Sequence, residues 1–204
     1  MKVLLINGSP RKAGCTYTAL REAAGELEAQ GIETEVFQLG TAPIYGCTAC
    51  GACRKTGNCI HTDDPANDCI ERMKQADGVI VGSPVYYAGP NGALCALLDR
   101  VFFASSAAFA YKPAAAIVSC RRGGSTAALD RLNKYFTISN MPVVPSQYWN
   151  MVHGNNPDEV RRDLEGMQIM RTLGKNMAWM LKSIAAAGLP LPEKEPRVGT
   201  NFIR

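Results

Sequence analysis

Four consecutive aliphatics, Val3-Leu4-Leu5-Ile6, open the chain and stop abruptly at Asn7. A run that is apolar at every position, not at alternate ones, reads as a strand buried on both faces. Leu20, Ala23, Ala24 and Leu27 then recur at helical spacing, and Gly31 stands where a helix stop belongs. The alternation continues. Glu33 to Leu39 read as a second strand. Asp64-Pro65 reads as a helix start, with Ala66, Cys69, Ile70 and Met73 on one face. Val79-Ile80-Val81, within 78–82, give a third strand. Leu94, Leu97, Leu98, Val101 and Phe102 mark a helix, and Ala114 to Ser119 a fourth strand. Ala128, Leu129, Leu132, Tyr135 and Phe136 mark the next helix, and Met141 to Ser146 a fifth strand. A stripe from Val160 through Leu173 to Ile184 closes the pattern, ahead of an aperiodic tail at 188–204.

Five strands alternating with helices predict an α/β fold, a doubly wound parallel sheet covered on both faces. Right-handed crossovers favour the strand order 2-1-3-4-5. With no internal repeat and no dividing linker, 1–187 reads as a single domain interrupted by a cysteine-rich insertion loop at 41–62. In such sheets the ligand lies beyond the carboxyl ends of the strands at the switch point. The loops after strands one, three and four therefore converge there.

The first of these loops runs from Gly8 to Thr16 and leads into a helix N-terminus, whose free N–H groups and partial positive charge attract an anion. Gly8 and Gly14 allow close approach, Ser9, Thr16 and Thr18 offer hydroxyls, and Arg11 or Lys12 offers charge. The Walker pattern is absent, since Cys15-Thr16 follows Gly14, and so is the dinucleotide pattern G-x-G-x-x-G. Hydroxyl and basic residues suit a terminal monophosphate, and flavin mononucleotide (FMN) on a flavodoxin-like sheet is the candidate ligand.

Composition narrows the field further. The formal charge of +4 comes from scattered lysines and arginines, which argues against nucleic acid. The apolar stretches are broken by Asp99-Arg100 and by Tyr111-Lys112-Pro113, so no membrane span is expected. Eight cysteines without a secretion signal point to thiol, metal or redox work in a reducing cytoplasm. His61 and His153 read as exposed loop histidines. Phe102, Phe103 and Phe109 read as surplus apolar surface, hence a homodimer or homotetramer.

Asn7-Gly8-Ser9-Pro10-Arg11, Gly14-Cys15-Thr16, and Gly82-Ser83-Pro84-Val85-Tyr86-Tyr87 before Leu97-Leu98-Asp99-Arg100 together resemble the NADPH-dependent FMN reductase family of flavodoxin-like proteins. The resemblance covers roughly the first 150 residues. It implies that Ser9, Arg11, Cys15, Thr16 and Thr18 surround the FMN phosphate. It also implies that Pro84, Val85, Tyr86 and Tyr87, with the segment Ser119 to Gly124 including Arg121 and Gly123, line the isoalloxazine. Family members often carry Asn where Cys15 stands, so an amide contact is missing here. The activity implied is oxidoreduction, from NAD(P)H through FMN to a small-molecule or protein electron acceptor. An electron carrier with no substrate of its own is the alternative.

The second strong signal is Cys47-x-x-Cys50-x-x-Cys53 followed by Cys59, on a loop with Gly46, Gly51 and Gly57. Thiols at this spacing can wrap one compact inorganic centre. A four-iron cluster, a zinc ion and metal-free thiols remain three readings of it. The spacing also resembles the iron-sulfur flavoproteins, which implies a [4Fe–4S] cluster. Cys69, Cys95 and Cys120 read as packing residues.

Overall fold

The structure, a computed structural model, describes residues 1–196, 198–200 and 202. Of the tail, residues 197, 201, 203 and 204 lie outside the described residues, and the described remainder forms no helix or strand. The aliphatic runs become the sheet: β1 (Lys2–Asn7), β2 (Glu33–Gln38), β3 (Gly78–Tyr86), β4 (Gly89–Pro90), β5 (Ala114–Cys120) and β6 (Met151–His153). The helices are α1 (Cys15–Ala29), α2 (Cys53–Thr56), α3 (Ala66–Gln75), α4 (Gly92–Phe109), α5 (Ser125–Ile138), α6 (Pro157–Arg162) and α7 (Leu164–Ala187).

The main path of the sheet is β2-β1-β3-β5-β6, parallel at every step, with β4 paired antiparallel to β3 at its side. Setting the hairpin strand β4 aside, this is the flavodoxin-like order 2-1-3-4-5. Because successive side chains point to opposite faces, the same strands feed two cores. Leu4, Ile6, Val79, Val81, Ala116 and Val118 face α3, α4 and α5. Val3, Leu5, Ile80, Ala115 and Ile117 face α1 and α7.

Two expectations on strands are corrected. The third strand runs on past Gly82 to Tyr86 and folds back into β4. The fifth strand is Met151–His153; the segment 141–146 contributes only a single bridge, between Val143 and Ala114. Pro142 and Pro145 cannot donate to a ladder. The edge of β5 is thus shared by two short stretches, with Val144 N–H donating to the Ala114 carbonyl and Val118 N–H to the Asn150 carbonyl.

α4 also departs from expectation. By length and composition it is apolar enough to cross a membrane, despite Asp99-Arg100. Here it lies in the core, with Leu94, Leu97, Leu98 and Val101 fully buried. Its backbone leaves helical geometry at Ser105, whose hydroxyl donates to the Gly57 carbonyl of the cysteine loop. Phe102 and Phe109 are core residues, and only Phe103 of the three is exposed.

Candidate functional site

At the carboxyl end of β1 the chain is held in several directions. Gly8 N–H donates to the Gly82 carbonyl at 2.8 Å, and the Asn91 side-chain amide donates to the Gly8 carbonyl at 2.7 Å. Asn7 donates to Gln38, Ser9 N–H to the Asn7 side chain, and Gln38 to the Ser9 carbonyl. A Cβ on Gly8 would meet Leu94 at 2.5 Å, and one on Gly82 would meet Thr16 and Leu20 at 2.8 Å. The two glycines let the strand ends and the first turn of α1 close together.

Gly14 precedes α1 and no side chain caps that helix. Its first N–H groups therefore face the loop without a protein partner, as an anion site requires. Arg11 N–H donates to the Ser9 hydroxyl, curling the loop, and Thr16 and Ser119 share a 2.8 Å hydroxyl–hydroxyl bond from α1 to β5.

A cleft of about 170 Å³ opens there, lined by Ser9, Arg11, Cys15, Thr16, Pro84, Val85, Tyr86, Ser119, Cys120, Arg121 and Gly154. Most of the residues expected from three separate loops thus share one wall. The others lie outside it. Gly14 sits behind it at the helix start, and the Thr18 hydroxyl donates back to the Gly14 carbonyl. Tyr87 is fully exposed at the hairpin tip. Gly123 does not line the cleft, and Gly124 precedes α5 in left-handed geometry against Ala88. Pockets that enclose a drug-sized ligand are roughly 300–1,000 Å³, so this cleft would enclose only part of a mononucleotide. Free helix N–H groups, two hydroxyls and a guanidinium suit a phosphate, and the residues present fit FMN on that ground.

Gly154 was missed by sequence reasoning, and Cys120, inside the segment Ser119 to Gly124 that the resemblance placed at the ring, was otherwise read as packing. Cys120 is not merely a packing residue: its sulfur lies 3.4 Å from His153 Nδ1. Burial pushes its thiol up. His153 is exposed as expected, yet it sits on β6, not in a loop. Cys15, where an amide was missing, donates its thiol to the Gly154 carbonyl at 3.7 Å. Burial pushes this thiol up as well, against the pull of Arg11.

The cysteine loop builds a second site. Cys47, Cys50, Cys53 and Cys59 line a single cavity of about 20 Å³ with His61, Arg100 and Phe103. Gly51 and Gly57 both take positive φ to wrap it, and Asn67 holds Cys59 through both its N–H and its carbonyl. Burial raises the Cys53 thiol, and the neighbouring Cys50, Cys47 and Cys59 raise it further. Among the described residues no three His, Cys, Asp or Glu side chains converge closely enough to hold a metal ion as the side chains stand. A four-iron centre spreads its thiolates over four irons, and four thiols around one cavity are the donor set it takes. On that chemistry the residues fit.

The loop is pinned from α4. Arg100, only 2 % exposed, forms an ion pair with Asp64, whose side chain is wholly buried. Burial alone would raise the Asp64 carboxyl, but Arg100 and the N–H groups of Ala66 and Tyr45 hold it below its ordinary value. His61 is not an exposed loop residue: it is half-buried, stacked on Tyr45 at 5.4 Å, with Nε2 buried and unpartnered.

Comparison with known proteins agrees with this geometry. Residues 1–156 match the model of the NADPH-dependent FMN reductase family. An iron-sulfur flavoprotein of Methanocaldococcus jannaschii is 33% identical over 192 residues, spanning 90% of this chain and 99% of its own. An iron-sulfur flavoprotein of Methanosarcina thermophila is 30% identical over 189 residues, spanning 90% of this chain and 97% of its own. A flavodoxin from the domain Archaea superimposes with a TM-score of 0.61 at 16% identity, over 89% of this chain and 99% of that one, a likeness of fold. The chain belongs to the NADPH-dependent FMN reductase family, with iron-sulfur flavoproteins among its relatives.

Proposed function

We propose that this protein is an FMN-dependent oxidoreductase that takes electrons from NAD(P)H and passes them to a quinone, a flavin or an electron-transfer protein. The observation that carries the reading is the single cleft that collects Ser9, Arg11, Thr16, Pro84, Tyr86, Ser119 and Arg121 at the uncapped start of α1. Bound FMN would supply acceptance of a hydride and its release as electrons. The chain's own residues bind and orient. Ser9, Arg11, Thr16 and the first N–H groups of α1 would hold the phosphate. Val85 and Tyr86 would wall the ring, and the Arg121 guanidinium would favour the negative charge that grows on reduction.

We further propose that Cys47, Cys50, Cys53 and Cys59 hold a [4Fe–4S] cluster. The shared cavity and its anchoring to α4 favour a second redox centre there. That same cavity also favours the second reading, an electron carrier without a substrate of its own. Cytoplasmic location and a homodimer or homotetramer complete the proposal, the latter from the exposed Phe103, Ile138 and Trp179.

Steady-state oxidation of NADH and NADPH with a quinone or free flavin tests the enzyme. Turnover is expected with one of the two nicotinamides; no turnover with either leaves the carrier reading. Arg11→Ala should weaken FMN binding by about 1.5–3 kcal/mol, the range for a charged hydrogen bond. An unchanged affinity by titration removes Arg11 from the phosphate site. Iron and acid-labile sulfide on anaerobically purified protein test the cluster.

A further inference from the structure

Arg100 spends every face of its guanidinium on the cysteine loop. Its Nε donates to the Cys59 sulfur at 3.2 Å, and one terminal nitrogen donates to the His61 carbonyl at 3.0 Å. The other donates to the Tyr45 carbonyl at 3.3 Å and to the Asp64 carboxylate. With the side chain 1 % exposed, the fork is locked in one orientation. Among the described residues, Cys59 is the one cysteine of the four whose sulfur receives a side-chain hydrogen bond.

A structural pin would need only the two carbonyls and the carboxylate. The Nε–H aimed at sulfur is the feature such a role leaves unexplained. Reduction of a cluster adds negative charge that spreads onto its sulfurs. A donor fixed on one of them favours the reduced form over the oxidised one, and hydrogen bonds to sulfur are a recognised lever on potential. Burial enlarges the effect, because little water competes at that position. Asp64 balances the guanidinium charge, so what reaches the sulfur is chiefly the directed N–H. We propose that Arg100 is a positioning residue that raises the reduction potential of the centre at the cysteine loop through its Nε–H bond to Cys59. The inference rests on the reading of that loop as a [4Fe–4S] site.

The test is a redox titration followed by electron paramagnetic resonance, on anaerobically purified full-length protein, with iron and sulfide measured on each sample. Arg100→Lys keeps a positive charge for Asp64 and removes Nε–H. Its midpoint should move to more negative potential with iron content unchanged. An unshifted midpoint at equal iron content overturns the inference and leaves the cluster intact. Wild-type protein without iron or sulfide overturns the cluster reading itself. Should the lysine variant lose its iron, the wild type still decides. In reduced protein grown on ¹⁵N-arginine, pulsed resonance should reveal one weakly coupled arginine nitrogen, and no such coupling refutes the role of Arg100.

Discussion

Asp64 and Gly82 show how single residues govern the two sites. Asp64 is a carboxylate with no exposed surface, held by Arg100 and two backbone N–H groups. Removing one member of a buried pair strands the other, at a cost of about 3–5 kcal/mol. Asp64→Asn should lower stability by that amount in denaturant titration. The pH dependence follows from the direction of its shift. A carboxyl depressed in the folded state stabilises above its unfolded pKa, about 3.9, and loses that contribution as pH falls through the folded value. The acid limb of the wild type should therefore be steep below about pH 4 and shallower in the asparagine variant. Gly82 acts through space alone. A Cβ there meets Thr16 and Leu20 at 2.8 Å, so Gly82→Ala should cost about 1–3 kcal/mol by overpacking. It should also weaken FMN binding, since Thr16 lines the cleft. Lost stability with unchanged FMN affinity would separate Thr16 from the ligand.

Among the elements, the hairpin between β3 and β4 is where local sequence and conformation disagree. Val85 pairs with Pro90 and Tyr86 with Gly89, which leaves Tyr87 and Ala88 as a two-residue turn. Both have positive φ, 50° and 60°. A turn of this kind calls for Asn-Gly or Asp-Gly, so the Tyr-Ala pair gave no hairpin signal and Ser83 to Pro90 read as a loop. Ala88→Gly should raise stability by about 1 kcal/mol, by removing the strain of a Cβ at positive φ. A lower melting temperature in that variant would show that the Ala88 side chain packs on Gly124 to more effect than its backbone strains. The fifth strand failed for a related reason. Met141 to Ser146 and Met151 to His153 are both apolar enough, and only pairing with β5 chooses between them. The buried runs of β1, β3 and β5 had no such rival and were legible at once.

Across the molecule, what could be read from the sequence was what each stretch decides locally: the layers, the strand order and the loops that meet at the switch point. What could not be read depends on distant partners. Arg100 stood in a motif beside Asp99 and read as a break in an apolar stretch, yet its partner Asp64 lies 36 residues away. Cys120 looked like packing until β6 brought His153 beside it. A ligand that binds only the folded state stabilises it by about 2.7 kcal/mol at a hundred times its Kd. For a chain of this size each kcal/mol moves the melting temperature by roughly 2–4 °C. FMN in that excess should therefore raise the melting temperature of the flavin-free protein by about 5–11 °C. Riboflavin carries the same ring without the phosphate, so at equal concentration its shift should be smaller. Arg11→Ala should bring the FMN shift down toward that of riboflavin and leave the riboflavin shift where it was. Equal shifts for FMN and riboflavin in the wild type would mean that the turn between β1 and α1 grips no phosphate, whatever else the cleft accepts.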